Sequence, residues 1–388
     1  MPSSRTGSAA NVARMTVDTI VIGAGVVGAA AARSLAEAGS RVLLLEAFER
    51  GHDRGSSHGA SRIFRYGYDT ADYVQLTVSA AAGWERLEKQ CGRTVFDRTG
   101  ALDHGDPKAL DAIAAAMTAE DLPSERLRGA EAAERWPGLK FEDDVLFSPG
   151  GGRLHADAAI EALLDSAEAA GAELRFGVRV LGIDADGDGV VVTAADGEHR
   201  AARLVVAAGS WTPKLTGDWL SHHGAELPDV RVTEEQPAHF PLLPGPADDE
   251  SLWPSFVHHP LDPEIPSVYG LLTPGEGVKV GAHGYGPVVD PDDRDRTIDP
   301  ERLARLQRYV AEWVPGVDST RPSAISCLYD TTPDSDFVLD RVGPVTVATG
   351  FSGHGFKFGP ALGDVLARLA LHGERAPERF RLAVAEPG

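Results

Sequence analysis

The chain has 388 residues, of which 43% are hydrophobic and 24% are charged, a balance typical of a soluble globular protein long enough for two domains. Its formal net charge of −21 argues against nucleic acid and anionic membrane surfaces as partners, because both would repel it. The two cysteines, Cys91 and Cys327, lie far apart without metal-ligand spacing, so we expect neither a disulfide nor a metal site.

No segment of the chain predicts targeting or membrane insertion. Residues 1–15 are rich in Pro, Ser, Gly and Ala and have no apolar core of signal-peptide length, which predicts a disordered N-terminal extension. No run approaches the roughly 18 apolar residues of a membrane span. A cytoplasmic location is therefore expected.

The first motif follows this extension. An apolar run at residues 19–22 predicts a buried strand, and Gly23, Gly25 and Gly28 come after it at GxGxxG spacing. In a dinucleotide-binding turn the first glycine makes the tight turn, the second lets the backbone approach a pyrophosphate and the third lets the helix pack on the strand. The free N–H groups at the helix N-terminus would bind the anion.

The residues after the glycines complete this pattern. A helix is predicted at residues 29–38, then a second buried strand at residues 42–45 that leads into Glu46. Glu46 is placed to accept a hydrogen bond from a ribose 2′-OH. An ordinary glycine turn in an α/β protein is the alternative, but it leaves the position of Glu46 unexplained.

A short basic segment comes next in the chain. Arg62 and Arg65 lie three residues apart after a loop at residues 51–61 that is rich in Gly, Ser and His. Beside a nucleotide-binding domain they suggest a wall that binds anions. Two such arginines without this context are more often solvated on the surface.

The rest of the chain alternates between helical and strand-like patterns. Helices are predicted at residues 73–90, 107–120, 157–170 and 300–313, in a short segment that ends at 135–138, and after the glycine-rich loop 350–359. Strands are predicted at residues 174–183, 190–194, 204–208, 337–339 and 345–348, and around Trp253, Tyr269 and Val278. The strand at 204–208 is followed directly by Gly209. A glycine at this position is typical of strands whose carboxyl ends face a bound nucleotide.

These elements predict an α/β fold with a discontinuous Rossmann-like FAD-binding domain and a second domain built on an antiparallel sheet. The FAD-binding domain is assigned to residues 16–90, 148–217 and 322–388, and the substrate-binding domain to residues 91–147 and 218–321. Because an NAD dehydrogenase usually keeps its dinucleotide domain in one piece, this interleaving favours a flavoprotein.

Four separated motifs connect the chain to a known family. They are Ser-His-Gly-Ala-Ser-Arg-Ile-Phe-Arg at 57–65, Lys-Val-Gly-Ala-His at 279–283, Cys-Leu-Tyr-Asp-Thr-Thr-Pro-Asp-Ser-Asp-Phe at 327–337 and Phe-Ser-Gly-His-Gly-Phe-Lys-Phe at 351–358. With these motifs in this order, the chain resembles the monomeric sarcosine oxidase and N-methyltryptophan oxidase family of FAD-dependent amine oxidases. The resemblance extends from about residue 18 to about residue 373.

The resemblance implies FAD as the cofactor. Cys327 matches the cysteine that the family joins to FAD through a thioether, although a free cysteine by itself is more often a buried structural thiol. His58 and Arg62 match residues that lie against the flavin ring, and Lys279 matches the lysine that activates oxygen. Composition alone would favour an exposed Lys279, since lysines are seldom buried. The other residues expected to bind the cofactor are Gly23, Gly25, Gly28, Glu46, Gly209, Gly353, His354, Gly355 and Lys357.

The resemblance also assigns a substrate site. Arg65 and Lys357 match the two cations that hold the substrate carboxylate, for which an arginine fork and a lysine charge are suited. His283, Tyr329 and Tyr269 match pocket residues near the amine. The function implied is oxidation of a secondary (N-methyl) amino acid, with hydride transfer to flavin N5, imine hydrolysis and reoxidation by O2 to give H2O2. The expected partners are this small amino acid and O2, and the expected state is a monomer or weak oligomer.

Several alternatives remain open from the sequence. The substrate could be a cyclic imino acid or a fructosyl amino acid, acted on by an oxidase or a dehydrogenase. A noncatalytic FAD-binding redox protein would be expected to lose Lys279 or Arg65, and an NAD dehydrogenase would not need Cys327. Some relatives carry an acidic residue in the loop after the second arginine, where this chain offers only Asp69 and Asp72.

Overall fold

The computed structural model describes residues 17–262 and 266–384, so the predicted extension at 1–15 lies outside the described residues. The helices are α1 Val26–Glu37, α2 Ala71–Cys91, α3 Pro107–Ala119, α4 Gly129–Arg135, α5 Ala156–Ala169, α6 Thr212–His222, α7 Pro300–Trp313 and α8 Gly359–His372, with 3-10 turns at Gly209–Trp211, Glu250–Leu252, Phe356–Phe358 and Glu378–Phe380. Within the described ranges, no helix is long and apolar enough to cross a membrane.

The strands are, in chain order, β1 Val17–Ile22, β2 Val42–Leu45, β3 Ser61–Phe64, β4 Phe96–Asp97, β5 Ala101–Gly105, β6 Glu125–Leu127, β7 Val145–Ser148, β8 Gly152–His155, β9 Glu173–Arg175, β10 Val180–Asp186, β11 Gly189–Ala194, β12 Gly197–Val206, β13 Ala225–Glu226, β14 Arg231–Glu235, β15 Ala238–Phe240, β16 Ser255–His259, β17 Val268–Thr273, β18 Gly277–Ala282, β19 Ser323–Ala324, β20 Cys327–Thr331, β21 Val338–Val342, β22 Val345–Thr349 and β23 Ala383–Val384.

The first large sheet has a parallel centre in the order β9-β2-β1-β12-β22. The hairpin β10-β11 adds antiparallel strands to the first half of β12, and β21 pairs antiparallel with β22. Val21 packs into the core formed with α1, α5 and α8, while Ile20 and Ile22 pack into the core on the other face, with α6. Both faces are covered, which is why β1 is an unbroken apolar run rather than an alternating one.

The second large sheet has the order β19-β15-β18-β17-β16-β5-β7-β6 and is antiparallel except for the β16-β5 pair. Its strands come from two separate segments of the chain, and α7 packs Leu306 and Val310 against one of its faces. The smaller sheet β3-β8-β4 and the ladder β14-β20 complete the elements around the site. The predicted fold class is confirmed, whereas the boundaries between the two domains stay a prediction.

One predicted strand is wrong. The segment at 174–183 is two strands, β9 and β10, because Gly177 has a φ of +73° and turns the chain between them. At this break the amide of Val178 donates to the carbonyl of Glu46 over 2.8 Å. The hairpin turn after β10 is short, since β10 continues to Asp186 and β11 begins at Gly189. By contrast, β2 and α7 begin and end at the predicted residues.

Candidate active site

The turn between β1 and α1 forms a cradle in which side chains would not fit. Gly23 has a φ of +100°, and a Cβ there would lie 2.4 Å from the carbonyl oxygen of Ala207. A Cβ on Gly28 would lie 1.9 Å from the carbonyl oxygen of Gly23, so this glycine lets α1 pack on the turn. Gly25 is the N-cap of α1 and has no side chain to cap the first amides, one of which donates to Ser57 Oγ over 3.2 Å. This end of α1 can bind an anion.

Glu46 lies buried at the end of β2, beside this cradle. Its carboxylate accepts hydrogen bonds from the amides of Ala24 (2.7 Å) and Phe48 (3.0 Å), and His52 Nε2 lies 3.4 Å away. Burial raises the pKa of Glu46, but the hydrogen bonds from His52 and from the two amides outweigh burial and leave the pKa below its usual value. Glu46 therefore stays ionised and can accept a further hydrogen bond from a hydroxyl.

A single cavity of about 890 Å³ begins at this cradle and extends between the two large sheets. All the predicted site residues except Gly28, which packs behind the turn, line this cavity. They are Gly23, Gly25, Glu46, His58, Arg62, Arg65, Gly209, Tyr269, Lys279, His283, Cys327, Tyr329, Gly353, His354, Gly355 and Lys357. The structure thus brings together residues more than 300 positions apart in the sequence.

Arg62 and His58 form the wall of the cavity next to the cradle. The Arg62 guanidinium donates to the carbonyls of Ser61 (2.8 Å), Ser56 (2.8 Å) and His58 (2.5 Å), so it fixes the loop before β3. Burial, together with the charge of Arg62, lowers the pKa of His58 to about 4. The neutral ring has a buried Nε2 with no hydrogen-bond partner among the described residues, which leaves it available to a ligand.

Lys279 is buried in the same wall. Its Nζ donates to the Ser61 carbonyl over 2.6 Å, and the residue is only 3% exposed. Burial and, less strongly, the charge of Arg62 lower the pKa of Lys279 to about 7. Cys327 lies near it at the start of β20, and burial raises the pKa of this thiol. Cys91, in contrast, lies at the last residue of α2 and outside the cavity.

Two tyrosines and a histidine line the middle of the cavity. The hydroxyls of Tyr269 and Tyr329 share a hydrogen bond, and the Tyr329 ring lies 5.3 Å from the ring of His283. Burial raises the pKa of both hydroxyls, so both remain protonated at neutral pH. Burial, with the charges of Lys357 and Arg65, lowers the pKa of His283 to about 4 and keeps its ring neutral.

The far end of the cavity holds two cations around one tyrosine. Lys357 Nζ donates to the Tyr68 hydroxyl (2.9 Å) and to the His354 carbonyl (2.7 Å), and the Arg65 guanidinium lies 4.7 Å from the centre of the Tyr68 ring. Burial, reinforced by Arg65, lowers the pKa of Lys357 well below its usual value. Because a bound anion would relieve this repulsion, the pair can hold a carboxylate.

The acidic neighbour of Arg65 is not in the loop where the sequence offered Asp69 and Asp72. Asp69 is exposed, and the side chain of Asp72 lies 3.9 Å from Arg379 at the surface. Asp103 on β5 takes this place, with Oδ1 3.3 Å from Arg65 Nη1. Sequence reasoning missed Asp103, His259 and Tyr68. The sequence did offer one signal for Asp103: it is an acidic residue that directly follows the apolar Ala101 and Leu102 in a strand, where an acid is rarely buried without a partner.

Comparisons with known proteins agree with this geometry. A family model for FAD-dependent oxidoreductases matches residues 18–369. Monomeric sarcosine oxidase from Streptomyces avermitilis is 35% identical over 381 residues, covering 93% of this chain and 95% of that protein. N-methyl-L-tryptophan oxidase from Yersinia pestis is 30% identical over 367 residues, covering 92% and 95%.

A solved structure is similar over the whole fold. NikD, described as an unusual amino acid oxidase essential for nikkomycin biosynthesis, is 28% identical with a TM-score of 0.82, covering 96% of this chain and 98% of that one. The match to the family model and the identity to the curated relatives both extend over most of the chain. The chain therefore belongs to the family of FAD-dependent oxidoreductases that includes the monomeric sarcosine oxidases and N-methyl-L-tryptophan oxidases.

Proposed function

We propose that this protein is an oxidase that uses FAD to oxidise secondary (N-methyl) amino acids with O2 as acceptor. The observation that carries the proposal is the single cavity, which joins the nucleotide cradle at Gly25 and Glu46 to the cation pair Arg65 and Lys357 and has Lys279 in its wall. A nucleotide site alone would not need a carboxylate site in the same cavity.

The residues present fit FAD. Gly23 makes the tight turn, Gly25 leaves room for the backbone to approach a pyrophosphate, and Glu46 is ionised beside them. His58 Nε2, which has no hydrogen-bond partner in the described part of the chain, and the guanidinium of Arg62 line the same cavity as Lys279. When bound, FAD would supply the redox chemistry of the reaction, namely hydride acceptance at N5 and transfer of the electrons to O2 to give H2O2.

Arg65 and Lys357 would hold the substrate carboxylate and so orient the amine. A fixed orientation turns the reaction into an effectively intramolecular step, which can contribute up to about 7–11 kcal/mol. The positive charge of the two residues also favours the neutral form of the substrate amine over the ammonium. His283, whose neutral ring can accept a hydrogen bond, would orient the amine N–H rather than carry a charge itself.

Lys279 and Cys327 are proposed to serve the cofactor. Lys279 is a buried ammonium with no carboxylate partner among the described residues, so its charge is available to an anion that develops in the cavity, as superoxide does when O2 is reduced. Cys327 is a buried thiol that lines the same cavity, and we propose that it would hold FAD through a thioether. This bond would replace the S–H bond and one C–H bond of a flavin methyl group, and the two electrons released would pass through the flavin to O2.

The experiment that tests the function is a substrate panel assayed for peroxide release. Sarcosine and N-methyltryptophan should be oxidised with release of peroxide. Proline-like cyclic imino acids and fructosyl amino acids carry the same carboxylate beside the amine, so faster oxidation of either of these would favour that substrate class instead. A dehydrogenase would reduce an artificial electron acceptor without releasing peroxide. A visible spectrum without flavin bands would refute FAD and point to a nicotinamide enzyme, and a flavin that no amine reduces would point to a noncatalytic protein.

A further inference from the structure

Arg65 forms an ion pair with a buried carboxylate on the side away from the cavity. Asp103 Oδ1 accepts from Arg65 Nη1 over 3.3 Å and from His259 Nε2 over 2.9 Å. Asp103 is 2% exposed and does not line the cavity, whereas Arg65 and His259 both do. The parallel pairing of β5 with β16 brings these residues together, since Asp103 pairs with Val257, two residues before His259.

The space around this carboxylate is closely fitted. A Cβ on Gly67 would lie 2.4 Å from Asp103 Oδ2 and 2.9 Å from Arg65 Nη1, so the backbone packs directly against the ion pair. The guanidinium also lies over the Tyr68 ring. Burial alone would raise the pKa of Asp103, but Arg65 and His259 outweigh burial and hold the pKa below its usual value. Asp103 is therefore an anion that holds Arg65 on one side.

The negative charge of Asp103 acts on the cation pair Arg65 and Lys357. Arg65 and Lys357 are two cations near one another, and the charge of Arg65 is among the causes that lower the pKa of Lys357. Asp103 offsets one of these charges before any substrate is bound. It also occupies one edge of the Arg65 guanidinium, which leaves the other N–H groups for a ligand. The same negative charge must repel a carboxylate that binds to the pair.

We propose that Asp103, held in turn by His259, is a positioning residue that fixes the Arg65 guanidinium toward the substrate carboxylate and at the same time weakens carboxylate binding. The inference rests on the proposed function, because it takes Arg65 as the carboxylate ligand. It differs from a structural role in one respect: removal of the charge should change binding and turnover in opposite directions.

The test compares the flavin-loaded wild type with Asp103→Asn, His259→Ala and His259→Gln. Sodium acetate, which has no amine to oxidise, is titrated against the flavin absorbance, with acetamide as the uncharged probe. Asp103→Asn should bind acetate about ten-fold tighter and acetamide unchanged. The limiting rate of anaerobic flavin reduction by substrate should fall about ten-fold, because the guanidinium loses its orientation. His259→Ala keeps the charge of Asp103, so acetate should bind no tighter than to the wild type, but the reduction rate should fall, by less than in Asp103→Asn, because Asp103 loses a hydrogen bond that holds it. His259→Gln, which keeps a donor, should restore the rate.

Asp97 provides a matched control. Its Oδ2 accepts from Arg153 Nε (3.1 Å) and from His155 Nε2 (2.9 Å), the same combination of residues outside the cavity. Asp97→Asn should change neither acetate binding nor flavin reduction.

Four outcomes would overturn the inference. Weaker acetate binding in Asp103→Asn would show that Asp103 only supports the fold near Arg65, and an unchanged reduction rate would show that it does not orient the guanidinium. If Asp103→Asn does not fold, an unchanged reduction rate in His259→Ala would refute the inference instead. A wild-type flavin spectrum that acetate does not alter would refute the carboxylate site itself, and with it the proposed function, before any variant is compared.

Discussion

Replacement of Lys279 by methionine should separate the two halves of the proposed reaction. Methionine keeps the length of the side chain and removes the charge, and the site is buried, with Nζ 2.6 Å from the Ser61 carbonyl. A unit charge about 4 Å from a developing anion contributes about 4 kcal/mol at an effective dielectric constant of about 20. This energy corresponds to about a thousand-fold in rate. Lys279→Met should therefore slow reoxidation by O2 by about this factor and slow anaerobic reduction by substrate much less.

The pH dependence gives a second measurement of the same charge. Since the pKa of Lys279 is lowered to about 7, the ammonium is present below this pH and lost above it. The reoxidation rate of the wild type should fall as the pH rises through about 7, and that of Lys279→Met should not depend on pH in this range. Stopped-flow mixing of reduced enzyme with oxygenated buffer measures both.

Stability distinguishes this effect from damage to the fold. The folded pKa of Lys279 lies below its unfolded value of 10.5, so its protonation favours the unfolded state and lowers stability below about pH 10. Lys279→Met removes this penalty, and its melting temperature at pH 7 should be no lower than that of the wild type. Lys89→Met, which removes an exposed ion pair with Glu85, is the control. A reoxidation rate equal to that of the wild type would remove Lys279 from the mechanism.

Four other predictions concern single contacts. Arg65→Gln should lower kcat/KM by about 10–100-fold, since a charge-assisted hydrogen bond contributes about 1.5–3 kcal/mol. For the wild type, a substrate with an alcohol in place of the carboxylate should show a similar loss of kcat/KM, and equal turnover of acid and alcohol would contradict this. In acid precipitation the flavin should stay with wild-type protein and appear in the supernatant of Cys327→Ser; free flavin from assembled wild type would contradict covalent attachment. Gly28→Ala should destabilise the protein and weaken FAD retention, because the new Cβ would lie 1.9 Å from a backbone oxygen. The control is Gly217→Ala in α6, whose new Cβ would have no described atom within 4 Å and which should raise the free energy of unfolding by up to about 1 kcal/mol. Burial and the charge of His259 lower the pKa of His258 to about 4. The contribution of His258 to the free energy of unfolding is therefore complete above about pH 6.5 and is lost as the pH falls toward 4. In urea titrations, His258→Gln should lose less stability than the wild type over this range.

The nucleotide end of the site could be predicted because its chemistry is local in the sequence. Strand β1, the glycines, α1 and β2 follow one another within 30 residues, and each glycine meets a backbone or side-chain atom that a Cβ would displace. The N-terminus of α7 was local in the same way, since Asp299 caps it by accepting from the amides of Glu301 and Arg302. Where the chain must turn around other elements, as between β9 and β10, the local pattern failed.

The substrate end depends on contacts between distant segments. Asp103 and His259 meet because β5 pairs with β16, more than 150 residues later in the chain, and the loop after Arg65 gave no indication of this. Pairing between such segments is fixed by packing in the whole sheet and not by the residues near either strand. The sequence could assign Arg65 to an anion site but could not show that an acid of the protein already lies beside it.

The second large sheet shows how much the alternation of apolar and polar residues in a strand can predict about burial. In β18 the side chains of Val278 and Val280 pack into the core with α7, and Lys279 between them lines the cavity, so the valines and the lysine lie on opposite faces of the strand. All three residues are nevertheless buried, which is why the pattern could not tell a core face from a solvent face. The neighbouring strands divide in the same way: Val257, His259, Tyr269 and Leu271 line the cavity, while Phe256 and Leu272 pack into the core. An ionisable residue in a strand covered on both faces must therefore face a cavity or a partner, since burial without either is too unfavourable. By that criterion Lys279 and Asp103 could both have been marked as site residues once their strands were known to lie in the interior.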